Sequence, residues 1–274
     1  MSDRALSEAQ IGALGNDGFV LVPAMFDAEE MRLLIEAATA DQSLRQQALD
    51  RDDGEGGVSR LAIWNHPGDD VYGMFARCDR VVTSMERLLG GEVYHYHSKM
   101  MLKEPKVGGA WAWHQDYGYW YHNGCLLPLM ASCMIAVNDA TRQNGCLQVL
   151  KGSQVMGRVE HMNVGTQVGA DPERVEAARN VFELVHCEMA AGDALFFDCN
   201  LLHRSDANRS DNPRWTLICC YNAARNNPYK ESRHPRYTPL KKVPDSAIKD
   251  VGLRVDADQR DYMSAKPLEV DRPA

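Results

Sequence analysis

Gly192-Asp193-Ala194-Leu195-Phe196-Phe197-Asp198-Cys199-Asn200-Leu201-Leu202-His203-Arg204-Ser205 reads as a turn followed by an apolar strand that ends in histidine. Eleven residues after His203, Arg214 opens a second strand, Trp215-Thr216-Leu217-Ile218-Cys219-Cys220-Tyr221. An arginine entering an apolar strand carries a desolvation penalty unless it faces a carboxylate. Other strands stand around this pair, at 92–103, 130–138, 146–150, 181–189 and 194–198, with turn residues between them. The first is long, and its alternation puts His97, Lys99, Met101 and Lys103 on one face. So many strands in close succession, with turn residues between them, predict an antiparallel β-barrel or sandwich.

Upstream the texture is helical. Ser7 with Gln10 and Asp27 with Glu30 have capping-box spacing, and Phe26 with Met31 makes a hydrophobic staple at the second start. Met31, Leu34, Ile35 and Ala38 then form one apolar helix face. Gly18-Phe19-Val20-Leu21-Val22-Pro23 predicts a short strand between these helices, and a further helix is expected over 79–89, stopped by Gly90-Gly91. Residues 39–60 are charged and glycine-bearing, which predicts a mobile loop and a lid. Asp171-Pro172 opens one inserted helix. The expectation is one domain over 1–274: a helical part at 1–91, a barrel core at 92–225, and a polar, proline-punctuated tail wrapping the surface at 226–274.

Composition narrows the function. The 274 residues carry a net charge of −8 with no basic block, which argues against a nucleic-acid partner. The longest nearly apolar run, 125–137, is too short to cross a membrane. The N-terminus lacks a secretory signal, and the eight cysteines show no Cys-x-x-Cys pair, so reduced thiols in a cytoplasm are expected. Serine-hydrolase, dinucleotide and P-loop signatures are absent.

His114-Gln115-Asp116 is the main candidate for chemistry, because on extended chain its imidazole and carboxylate share a face and can converge on one metal. A third ligand would complete the two-histidine, one-carboxylate triad that leaves positions open on iron(II). His203 is available for that place. A 2-oxoglutarate cosubstrate would give Arg214 its carboxylate, two methylenes from a keto-acid end that chelates iron. His186-Cys187-Glu188 is a rival His-x-carboxylate pair. The remaining histidines, His95, His97, His122, His161 and His234, read as hydrogen-bonded or exposed side chains.

The chain resembles the phytanoyl-CoA dioxygenase family of iron(II)/2-oxoglutarate oxygenases, a family that also includes ectoine hydroxylase. The carriers are Leu6-Ser7-Glu8-Ala9-Gln10 leading to Asp17-Gly18-Phe19-Val20, then Trp113-His114-Gln115-Asp116, Asn144-Gly145-Cys146-Leu147-Gln148-Val149-Leu150-Lys151-Gly152-Ser153, Ala191-Gly192-Asp193, and His203 with Arg214. The resemblance implies a double-stranded β-helix of the jelly-roll or cupin-like type, mainly β with helices packed on it. It implies Fe(II) held by His114, Asp116 and His203, with 2-oxoglutarate and O2 as cosubstrates. Arg214 would hold the far carboxylate with Ser205 supporting the cosubstrate, and one of His97, Lys99, Met101 and Lys103 would meet the metal-proximal end. Two departures stand out: Lys151-Gly152-Ser153-Gln154 replaces the family's Pro-Gly-Ser-His, and Met134 replaces an aromatic beside the cosubstrate.

The resulting expectation is a hydroxylase of a small polar metabolite: an amino acid, a zwitterion or an aminoalkylphosphonate. Trp111, Trp113, Tyr117, Tyr119, Trp120 and Tyr121 form either an aromatic substrate wall or the packing of the barrel mouth, with Trp113, Tyr117, Tyr119 and His122 as the substrate candidates. Rival readings are a cupin-like metal enzyme without 2-oxoglutarate, an acyl-CoA hydroxylase, and a non-catalytic ligand-binding barrel. The retained Asp116 argues against a halogenase of this fold.

Overall fold

The computed structural model describes residues 4–256 and 260–263. Seven antiparallel strands form the larger sheet. In spatial order they are β1 (Phe19–Val22), β11 (Ala194–Asp198), β6 (Met130–Ala136), β13 (Arg214–Ala223), β4 (Val93–Lys103), β3 (Val58–Trp64) and β2 (Leu49–Asp52). Four more form a facing sheet: β10 (Leu184–Cys187), β7 (Leu147–Leu150), β12 (His203–Ser205) and β5 (Trp111–His114). A separate hairpin, β8 (His161–Val164) with β9 (Gln167–Ala170), completes the β structure.

The apolar strands bury both faces, which is why they read as near-continuous hydrophobic runs. On β13, Leu217, Cys219 and Tyr221 pack outward against the helices, while Ile218 and Cys220 turn inward. Inward residues of the larger sheet, Met134, Leu195, Phe197 and Ile218, meet Leu147 and Val149 of the smaller one. The outer face is covered by α2 (Ala28–Ala40), α4 (Val71–Arg77) and α5 (Asp79–Leu89), through Leu34, Phe75, Val82 and Met85. This is the double-stranded β-helix expected, and α1 (Glu8–Asp17) and α2 carry both expected capping boxes. Gly90 ends α5 in the left-handed conformation, with φ 68°, that a side chain would strain. The shorter helices are α3 (Gln42–Gln46), α6 (Asp116–Trp120), α7 (Pro172–Arg179), capped by Asp171, and α8 (Ala247–Val251).

Two local expectations are corrected, and one element is added. Residues 39–60 are not a loop: α3 and the β2–β3 hairpin occupy them, and β3 pairs along β4. The charged texture misleads because β2 is an edge strand whose Asp50 and Asp52 point to solvent. Its glycine-rich tip is pinned by Asp53, whose carboxylate accepts from the N–H groups of Glu55, Gly57 and Ala110. The region before residue 92 therefore contributes three strands as well as helices. The second correction concerns His203, which opens β12 in the smaller sheet instead of closing β11. Asp198 accepts from the Asn200 N–H and turns the chain between the two. The added element is the hairpin over 161–170, which no local pattern announced.

Beyond residue 226 the chain packs back across the helices. Val243 N–H donates to Arg77 C=O, and buried Arg260 pairs with Asp41 and Asp70. The rest of the expected 226–274 tail, 257–259 and 264–274, lies outside the described residues. Among the described residues, no helix is long and apolar enough to cross a membrane.

Candidate metal centre and active site

His114 ends β5 and His203 begins β12, and the two are direct partners across the antiparallel ladder. Their rings stand 4.0 Å apart between centroids. In each, Nδ1 lies against the carbonyl two residues earlier, Ala112 at 2.8 Å and Leu201 at 2.9 Å. A carbonyl only accepts, so Nδ1 carries the proton and Nε2 offers its lone pair, the arrangement that orients a metal-binding histidine. Burial pushes both pKa values down, and the neighbouring His203 ring adds to this at His114. Both rings are held neutral.

Asp116 stands beyond the end of the strand, as the first residue of α6, with Gln115 still extended between. One ligand atom from each of His114, Asp116 and His203 lies within 4.8 Å of the others, the one such buried group of His, Cys, Asp or Glu among the described residues. The Asp116 carboxylate accepts from Ser132 Oγ at 2.8 Å and from Lys99 Nζ at 3.2 Å. Burial alone would raise its pKa, but the Lys99 charge, the two histidines and the Ser132 hydroxyl hold it near about 2. Two neutral imidazole nitrogens and one ionised carboxylate on a cavity wall are a donor set suited to iron(II) with open positions. The rival pair is not assembled: His186 lies on edge strand β10, and Glu188 is an exposed partner of Arg142.

Arg214 begins β13 opposite Lys103 of β4. Its guanidinium lines the cavity and is buried, yet makes no ion pair among the described residues, and its Nε has no hydrogen-bond partner. Burial lowers its pKa to about 10. Beside it, Lys103 Nζ donates to Ser205 Oγ at 2.8 Å and to the Asp206 carbonyl at 2.6 Å, leaving the Ser205 hydroxyl hydrogen to point elsewhere. A buried guanidinium with no anion on the chain is a place made for an incoming carboxylate. It fits the far end of 2-oxoglutarate.

His114, Asp116, His203, Arg214 and Ser205 share one cavity of about 490 Å³, whereas Lys103, a candidate for the cosubstrate, is not in its wall and touches it only through Ser205. Lys99, Met101, Met134, Tyr119 and His122 line it as expected. Two substrate candidates do not. Trp113 packs instead in the cluster of Leu150 and Leu202, with the Arg204 guanidinium 5.8 Å from its ring, and Trp111 takes its place in the wall. Trp113 adjoins His114 and falls on the opposite face by ordinary strand alternation, whereas a bulge, by which 111–114 on β5 spans 203–205 on β12, brings Trp111 onto the His114 face. Tyr117 turns away on α6 and donates to Cys125 C=O at 3.0 Å. Of the histidines read as hydrogen-bonded or exposed, His95 and His161 are hydrogen-bonded as expected. His97 and His234 differ: they lie against each other at 4.9 Å in the cavity wall, each with a buried Nδ1 that has no hydrogen-bond partner among the described residues. The strand alternation of β4 already pointed at His97. Arg51 and Arg233 had no local signal, coming from segments that read as loop and tail.

Residues 14–216 match the phytanoyl-CoA dioxygenase family. The L-proline trans-4-hydroxylase of Streptomyces griseoviridis is 30% identical over 240 residues, covering 81% of this chain and 88% of that protein. The ectoine dioxygenase of Halomonas elongata is 29% identical over 266 residues, covering 90% and 79%. Among solved structures, EctD from S. alaskensis with bound Fe superposes with a TM-score of 0.73 at 24% identity, over 89% of this chain and 90% of that one. That likeness speaks for the fold.

Proposed function

The chain belongs to the phytanoyl-CoA dioxygenase family, and from that premise we propose an iron(II)- and 2-oxoglutarate-dependent dioxygenase that hydroxylates an unactivated C–H bond of a small polar metabolite, releasing succinate and CO2. The observation that carries this is the pairing of a buried His-Asp-His group with the unpartnered Arg214 in one cavity. Relatives named for L-proline and ectoine support a free small metabolite over an acyl-CoA thioester. The eight free, buried cysteines suit a reducing cytoplasm.

When bound, iron(II) supplies the redox chemistry of O2, with oxidative decarboxylation of 2-oxoglutarate providing electrons. The chain's own groups do the rest. His114 and His203 present Nε2, and their backbone-bonded Nδ1 atoms prevent ring rotation. Lys99 and Ser132 each hold one oxygen of Asp116 and keep the carboxylate ionised. Arg214, with the Ser205 hydroxyl, anchors the distal carboxylate of 2-oxoglutarate. Met134, Phe197 and Ile218 make the inner wall apolar and exclude water from the reacting end.

Anaerobic Fe(II) titration tests the ligands: His114→Ala, Asp116→Ala and His203→Ala should each lose most metal affinity while remaining folded. Near-normal iron binding by His203→Ala would refute the triad. Arg214→Ala should raise the dissociation constant for 2-oxoglutarate roughly 30- to several-thousand-fold, equivalent to about 2–5 kcal/mol. Arg214→Lys should recover only part, because lysine lacks the bidentate fork. A succinate-release screen over amino acids, zwitterions and aminoalkylphosphonates then identifies the prime substrate.

A further inference from the structure

With Arg214 assigned to the cosubstrate, the charge balance of the remaining cavity points to what the prime substrate carries. Arg51, Lys99, Arg204, Arg214 and Arg233 all contribute to the wall, whereas Asp116 is its one acidic side chain among the described residues. Lys99 is paired with Asp116, and Arg204 with Asp206. The guanidinium groups of Arg51 and Arg233 make no hydrogen bond or ion pair among the described residues.

The two arginines come from distant parts of the chain. Arg51 is half-buried on edge strand β2, and Arg233 is exposed at the rim in the segment after β13. Burial lowers the pKa of each, and the Arg233 charge lowers that of Arg51 further, so the two guanidiniums repel across the rim. Two guanidinium charges on one cavity rim, without a counterion among the described residues, repel each other, and an anion between them relieves that repulsion. Planar forks also match carboxylate and phosphonate oxygens in two-point contact. The wall offers Trp111 and Tyr119 and, apart from Asp116, no acid among the described residues, so a substrate ammonium there can meet ring faces.

We propose that Arg51 and Arg233 form a second anion subsite in the cavity, which holds the carboxylate or phosphonate of the prime substrate. The identity of that anion as prime substrate rests on the oxygenase reading; the subsite itself is a property of the wall. It makes an anionic oxyacid group a requirement for binding, and it makes these two residues determinants of specificity.

The test is calorimetric titration of the Fe(II)-loaded chain under anaerobic conditions, with N-oxalylglycine occupying the Arg214 end. Methylphosphonate and acetate should bind at one site and uncharged acetamide should not; the stronger of the two anions identifies the preferred oxyacid. Arg51→Met and Arg233→Met should each weaken that binding about tenfold or more, the double variant should abolish it, and N-oxalylglycine affinity should stay within about twofold. Arg51→Lys should retain part of the affinity. Unchanged methylphosphonate affinity in a folded double variant, or no anion binding by the wild-type chain, overturns the subsite. If the subsite behaves as expected but N-oxalylglycine does not bind and 2-oxoglutarate is not consumed, the oxygenase reading falls alone. If 2-oxoglutarate is consumed and the double variant keeps methylphosphonate, the subsite falls alone.

Discussion

Gly118 is small because the ring of His161 occupies the space a side chain would need. A Cβ there would sit 2.0 Å from His161 Cε1. That ring is itself committed: its Nδ1 donates to Val159 C=O, and its Nε2 accepts from the Gln115 N–H at 3.0 Å. Gln115, between the two liganding positions His114 and Asp116, also donates to Gly157 and Asn200 carbonyls and accepts from Val159 N–H. The metal-facing groups are thus aimed by a residue that never faces the metal. Gly118→Ala should displace the His161 ring and release the Gln115 backbone, lowering Fe(II) affinity about 10–100-fold. The overpacking itself should cost about 1–3 kcal/mol of stability. Anaerobic iron titration and thermal melting check the two effects, and a variant that melts and binds iron like wild type would show that the site tolerates the shift.

At the scale of elements, the decisive feature is the crossing from β11 to β12, since it carries His203 from one sheet to the other, opposite His114. Asp198 makes the turn by accepting from the Asn200 N–H at 2.7 Å, and burial raises its pKa to about 6. A raised carboxyl pKa means the folded state favours the protonated form; that preference helps folding at low pH and is lost as pH rises through about 6. Asp198→Asn keeps an acceptor for the turn and removes the buried charge. It should raise the melting temperature roughly 2–4 °C at pH 8 and leave it unchanged near pH 4; an equal shift at both values would mean the charge is not the cause. The crossing also shows what could be read in advance. The strands were legible because both their faces are apolar, and the His-x-Asp pair with a distant histidine and arginine was legible because such groups are rare inside apolar strands. What escaped depends on geometry that no period reports. The bulge on β5 brings Trp111 onto the His114 face, and the start of α6 puts Asp116 and Tyr119 on one face and Tyr117 on another. Edge strand β2 escaped because its solvent face is as charged as a loop.

For the whole molecule, closure depends on an ion cluster that joins the chain's beginning to its end. Arg260 pairs with Asp41 at 2.9 Å and with Asp70 at 2.6 Å, all three nearly inaccessible to solvent, while its guanidinium lies 4.5 Å from the Tyr72 ring. Asp41 and Asp70 are also the N-caps of α3 and α4, so the cluster locks two helices as well as the C-terminal segment. Three residues further on, Met263 N–H donates to Ile63 C=O at 2.8 Å, and its side chain lines the cavity. Arg260→Met would strand two buried carboxylates and should cost about 3–5 kcal/mol, on the order of 10 °C in melting temperature. Replacing all three, Arg260→Met with Asp41→Asn and Asp70→Asn, removes the charges together while keeping side-chain oxygens as helix caps. The triple variant should therefore melt above the single one. Because Met263 depends on the same segment, Arg260→Met should also weaken prime-substrate binding more than Fe(II) binding, measured at a temperature where the variant is folded. A triple variant melting at or below the single would show that the cluster acts through shape and packing, not through paired charge.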